Sequence, residues 1–151
     1  MRGEISEKVA LDLLSIPSLI FRLVRRKVVK PTLADTNVEF KSLHFEIMHV
    51  LKNEGTLHPA KIGEKLLVAK AQMTHLIDKL VDLGFVKREM CADDRRTINL
   101  TLTDEGRKTL DEQDNLVIGA VEDNMASLSE EELENLSKSL RNLRDTLQKI
   151  Q

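Results

Sequence analysis

A mostly α-helical fold with a small β element is what this sequence predicts, and three observations predict it. Apolar residues recur at helical spacing through both terminal thirds of the chain. Two helix-length stretches lie back to back between His58 and Leu83, and two strand-like runs flank the polar turn Cys91 to Arg96. Two short helices followed by a hairpin, with longer helices on either side, describe a winged helix-turn-helix held between N- and C-terminal helices.

Composition limits the reading first. A chain of 151 residues suits one domain with one core, and 41% apolar with 32% charged residues suits a folded, soluble protein. Aromatic residues make up only 3%, with no Trp or Tyr, so stacking on unpaired bases is disfavoured and a duplex is the better nucleic-acid partner. No apolar run reaches membrane-spanning length, and the first residues lack a signal-peptide layout. The single cysteine, Cys91, excludes an intrachain disulfide and suits a cytoplasmic location. A formal net charge of −2 conceals an uneven distribution. Residues 1–60 and 61–103 each carry two more basic than acidic side chains, whereas residues 104–151 carry 6 basic and 12 acidic ones, which would keep that end away from phosphate.

Three regions follow, parts of one structural domain: residues 1–36, a dimerisation helix and loop; 37–103, the winged helix-turn-helix; and 104–151, further dimerisation helices. Val9, Leu13, Leu14, Ile16, Leu19, Ile20, Leu23 and Val24 mark an amphipathic helix over residues 7–30, with a basic end at Arg22, Arg25, Arg26, Lys27 and Lys30. Pro17 should kink or split it, and Pro31 to Asn37 reads as a loop. A second helix, about Phe40 to Asn53, is apolar at Leu43, Ile47, Met48, Val50 and Leu51, and Gly55 ends it.

His58-Pro59 opens the third helix, where the missing proline N–H costs little. Ile62, Leu66 and Leu67 form its buried stripe, and Gly63 admits a close neighbour. The fourth helix, Lys70 to Leu83, turns Met73, Leu76, Ile77 and Leu80 inward and Lys70, Gln72, Thr74, His75 and Lys79 mostly outward, and Gly84 stops it. The strands are Phe85 to Met90 and Thr97 to Leu102, the second alternating Ile98, Leu100 and Leu102 against polar neighbours. Thr103 caps a fifth helix reaching about Met125, and Ser129 with Glu132 forms a capping box for the last.

In that last helix Leu133, Leu136, Leu140, Leu143, Leu147 and Ile150 alternate three- and four-residue spacings, which is a coiled-coil seam. The seam could pack on the first and fifth helices of its own chain. The terminal helices nevertheless carry more apolar surface than one small core can cover, so a second copy is the expected cover, with Leu13 and Ile16 joining the seam and Ile20 left unassigned.

The ordered set Leu57 to Leu66, Thr74 to Leu80, Gly84 to Arg88, Asp94-Arg95-Arg96 and Leu102 to Gly106 resembles the MarR family of transcriptional regulators over about residues 40–110. The resemblance implies a homodimer that binds pseudo-palindromic operators in double-stranded DNA, commonly as a repressor released by small aromatic or phenolic ligands. It also implies that Arg95 or Arg96 enters the minor groove, with Asp94 orienting it and Asp78 as a partner for Arg96. The chain departs from the family's pattern at Cys91-Ala92, where Asp-Pro is common, and at Ala69, where Ser is usual.

Residue chemistry supplies an argument beside the resemblance. A major groove accepts one helix, so outward residues near the start of the fourth helix can reach base edges: Gln72 can bond adenine, Thr74 offers a hydroxyl and a methyl, His75 can donate to guanine, and Lys70 can reach base or phosphate. Lys61, Lys65, Lys79 and Arg88 are better placed for phosphate. The wing arginines beside Asp93 and Asp94 could instead form a surface ion-pair cluster of little energetic weight. A winged-helix protein-interaction module without operator binding is the competing function.

Catalysis finds no support, for the sequence has no nucleophile elbow and no phosphate-binding glycine loop. His44, Glu46 and His49 lack helical metal-ligand spacing, so no metal or cofactor is expected. Cys91 beside Asp93 and Asp94 is poorly placed for redox sensing. Arg22, His44 and Met48 are candidates for an effector pocket by location alone.

Overall fold

The computed structural model describes the backbone of residues 1–34, 42–94 and 96–150, and the side chains of these apart from residues 24–34. Along the chain lie α1 (Arg2–Ala34), α2 (Ser42–Glu54), α3 (Pro59–Leu66), α4 (Lys70–Asp82), β1 (Val86–Met90), β2 (Ile98–Leu102), α5 (Asp104–Met125) and α6 (Glu130–Ile150). The fold class is therefore the expected one, mostly helical with a small antiparallel hairpin. By packing the chain divides into two compact units, residues 31–116 and residues 1–30 with 117–151.

The first unit holds the hydrophobic core. Ile47, Met48 and Leu51 of α2, Ile62 of α3, Met73, Leu76, Ile77 and Leu80 of α4, Val86 of β1, Leu100 and Leu102 of β2, and Leu110 of α5 are all buried together. The inward row of α4 is the one its spacing predicts. Each such side chain contributes about 1.5–3 kcal/mol by leaving water, so the helix is held by one face while the opposite face stays free.

Local chemistry fixes where these elements begin and end. Gly55 at φ +81 and Gly84 at φ +76 take the left-handed turns that follow α2 and α4. His58 caps α3 through its ring, Nδ1 accepting from the Ala60 N–H at 3.1 Å, and Pro59 occupies the first turn. At Gly63 a Cβ would stand 3.1 Å from Met73 Cγ and from the Val68 carbonyl, so a bare backbone is what lets α4 pack against α3. The hairpin register pairs Val86 with Leu102 and Met90 with Ile98. Leu57 and Leu100 exchange two backbone hydrogen bonds, 3.1 and 2.8 Å, which adds a one-residue third strand that spacing does not reveal.

Several expectations are corrected. Pro17 does not split the first helix: α1 runs on for 33 residues and passes Pro31 as well. Each proline removes one N–H from a long ladder, and near Pro17 the Ser15 and Ser18 hydroxyls donate to the Asp12 and Ser15 carbonyls. The remainder of the expected loop, residues 35–37, lies outside the described residues. Leu67 is not part of the buried stripe of α3. Its backbone takes φ 54, ψ 42 as the C-cap, which turns the side chain outward to 93% exposure. Ile98 is also exposed, since its pairing with Met90 puts it at the tip of the hairpin, beyond the core that takes Leu100 and Leu102.

In the second unit Ser129 and Glu132 form the predicted reciprocal cap, 2.8 and 3.2 Å, at the start of α6. Asn124 of α5 donates to the Leu23 carbonyl of α1 at 3.4 Å. None of this unit's described residues is buried. Leu133, Leu136, Leu140 and Ile150 of the seam are exposed and Leu143 and Leu147 half-buried, and on α1 Leu13 and Ile16 are half-buried between exposed Val9, Leu14 and Ile20.

Candidate nucleic-acid interface

Four residues of α4 carry the polar face. Lys70, Gln72, Thr74 and His75 are exposed in its first two turns, opposite the buried Met73, Leu76 and Ile77, while Lys79 further along is half-buried. The Thr74 hydroxyl donates to the Lys70 carbonyl at 3.1 Å, leaving its methyl and its oxygen lone pairs toward solvent. Lys61 on α3 is exposed. Lys65, also on α3, pairs with Glu54 of α2 at 2.8 Å, so its charge is partly compensated before any phosphate approaches.

The wing is organised by Asp94. One carboxylate oxygen accepts from the Arg96 backbone N–H at 2.9 Å and the other from the Thr97 hydroxyl at 3.2 Å, while the Cys91 N–H closes the turn on the Thr97 carbonyl at 2.9 Å. This is an Asx-type turn, and it fixes the backbone at Arg96. Arg96 is exposed, and Arg95 lies outside the described residues. The expected pairing of Asp78 with Arg96 is not made, because Asp78 accepts instead from the guanidinium of Arg88 on β1. β1 starts only four residues after α4 ends, which brings Arg88 alongside the helix face before the chain reaches the wing tip. Lys87 pairs with Glu89 at 2.8 Å, and that hydrogen bond together with the carboxylate charge raises the lysine above its usual pKa.

Spacing alone could not show that these cations have partners, since the Lys65 and Arg88 pairs join different elements. The histidines also separate once folded. His44 is buried on α2, whereas His49 lies 3.0 Å from Asp114 of α5, beside a Lys52 that reaches Asp111 at 2.6 Å. Of the three effector candidates, His44 and Met48 stand one turn apart on the core side of α2, and Arg22 is exposed on α1 with its Nε donating to the Ser18 carbonyl at 3.3 Å. Cys91 is half-buried, with the Asn99 side-chain amide 3.7 Å from its sulfur.

A helix with one buried and one polar face, followed by a hairpin with a polar tip, defines a winged helix-turn-helix protein. Residues 41–98 match the model of the MarR family, which the chain resembles over that stretch. It is similar to the HTH-type transcriptional regulator YkoM of Bacillus subtilis, 35% identical over 72 residues that make up 48% of this chain and 47% of that protein. A second relative, the regulator MhqR of the same organism, is 27% identical over 97 residues, 64% of this chain and 67% of that one. The chain thus spans less than half the length of YkoM. Among solved structures, a MarR family protein from Bacillus stearothermophilus superposes over 98% of both chains with a TM-score of 0.72 at 21% identity. Streptococcus pneumoniae FabT in complex with DNA covers 97% of this chain and 99% of its own, with a TM-score of 0.67 at 20% identity.

Proposed function

We propose that this protein is a transcription regulator that binds a pseudo-palindromic operator in double-stranded DNA as a homodimer, acts as a repressor, and is released by a small aromatic ligand. The observation that carries the reading is the row Lys70, Gln72, Thr74 and His75, exposed in the first turns of a helix whose other face is locked into the core. Donors and acceptors at the start of such a helix are what direct readout in the major groove requires. Lys61, Lys65, Lys79 and Arg88 then serve phosphate, and Arg95 or Arg96 enters the minor groove, a role supported by the turn that Asp94 holds at Arg96.

The exposed seam of α6 and the lack of any buried residue in the described part of its unit support the dimer, since a twofold partner would cover these leucines. Release requires only a ligand that binds better to a form with the wrong spacing between recognition helices. The test is fluorescence anisotropy with the duplex upstream of its own gene. We expect binding that weakens steeply between about 50 and 200 mM salt, a footprint with half-sites about one helical turn apart, and release by added phenolic carboxylates. Equal affinity for every duplex, or none at low salt, would overturn the reading.

A further inference from the structure

We infer that Leu67 is a sequence-reading residue, making an apolar contact with a thymine 5-methyl group at the edge of the major groove. This inference rests on the DNA-binding reading above. Among the described residues Leu67 is the single non-glycine at positive φ, and its side chain is 93% exposed. The left-handed conformation strains a residue that has a Cβ, and helices favour glycine there. This chain itself uses glycine at the left-handed turns after α2 and α4. An exposed leucine in that conformation gains nothing from the core to offset the strain, and outliers of this kind concentrate where function needs a side chain.

Its position says what the side chain can touch. Leu67 stands three residues before Lys70, where the polar face of α4 begins, and the two help to wall one groove of about 630 Å³ with His58, Pro59, Glu64 and Met73. The Glu64 carboxylate repels phosphate, and the apolar walls offer an anion little. The major-groove edge of a duplex presents one prominent apolar group, the thymine methyl, and aliphatic side chains contact it. A leucine raised beside the start of α4 therefore adds an apolar contact to thymine beside the adenine contact that Gln72 can make.

The test begins with duplexes selected by the wild-type chain from a random library, each thymine in the half-site then being replaced by deoxyuridine, which lacks the methyl. We expect one position where the replacement weakens wild-type binding about tenfold. Leu67→Ala and Leu67→Gly should bind the parent duplex about tenfold more weakly and be indifferent to deoxyuridine at that position, with circular dichroism showing both folded. Variants that keep wild-type affinity, or a wild-type chain insensitive to deoxyuridine at every position, overturn the inference while leaving DNA binding intact. A wild-type chain that selects no duplex overturns the functional reading, and this inference with it.

Discussion

Asp78 of α4 accepts a hydrogen bond from the Arg88 guanidinium of β1, so the polar face of α4 is tied to the hairpin by a charged pair. Both side chains are about half exposed, and the pair lies in water that screens it. Its influence on DNA should accordingly exceed its influence on stability. Asp78→Asn is expected to cost less than about 1 kcal/mol in urea unfolding. It should tighten operator binding several-fold at low salt and steepen the salt dependence, because an anion leaves the face and Arg88 is freed for phosphate. Anisotropy titrations at two salt concentrations check this, and weaker binding would assign the pair to positioning α4 instead.

Gly106 stands against the Phe85 carbonyl in the first turn of α5, so that an added Cβ would overlap that backbone oxygen and come 2.9 Å from Leu102 Cδ1. Backbone cannot move aside as a flexible side chain can. Gly106→Ala should therefore lose about 2–3 kcal/mol of stability despite alanine's better helix propensity. Thr103, three residues earlier, donates to the Gly84 carbonyl at 2.6 Å and accepts from the Gly106 N–H at 3.0 Å, joining the end of α4 to the start of α5. Thr103→Ala should cost about 1–2 kcal/mol and Thr103→Ser much less. Chemical denaturation of the three variants separates crowding from capping.

How far the sequence disclosed this molecule depended on whether the governing physics is local. The inward row Met73, Leu76, Ile77 and Leu80, the caps at Thr103 and Ser129, and the close approach at Gly63 follow from periodicity or from contacts within a few residues, and all of them form as expected. The pairs Asp78 with Arg88 and Lys65 with Glu54 join separate elements, and no spacing rule announces them. Leu67 misled because a left-handed backbone interrupts helical periodicity at the very residue where the pattern was extrapolated. Pro17 does not split α1, where one lost hydrogen bond is carried by a ladder of 33 residues. The polar row of α4 was legible in full, since exposure there is the complement of a buried stripe.

The strain at Leu67 has a consequence for stability apart from DNA. Replacing it by glycine removes the left-handed penalty, roughly 1–2 kcal/mol, and returns part of that as extra freedom in the unfolded chain. Leu67→Gly is expected to be the more stable protein, by about 0.5–1 kcal/mol or about 1–4 °C in Tm. Leu67→Ala, which keeps a Cβ, should show no such gain. Calorimetry at a single protein concentration checks both, the concentration being fixed because an oligomer's Tm depends on it.

The seam on α6 permits the most consequential test. Leu140 lies at its middle and is 48% exposed, so within the chain a charged residue there displaces little packing. Buried in a twofold seam, by contrast, two opposed carboxylates would repel each other in a medium that screens them poorly. Leu140→Glu is expected to convert a dimer to a monomer in sedimentation velocity at micromolar concentration while leaving the helical circular dichroism of residues 42–116 largely unchanged. Operator affinity should then fall by about 10²–10⁴-fold, because each half-site must be bound without the effective concentration its linked neighbour supplies. If the variant stays dimeric and binds normally, the interface lies elsewhere; if the wild type is itself monomeric, the α6 leucines need another cover and paired half-site recognition has no basis.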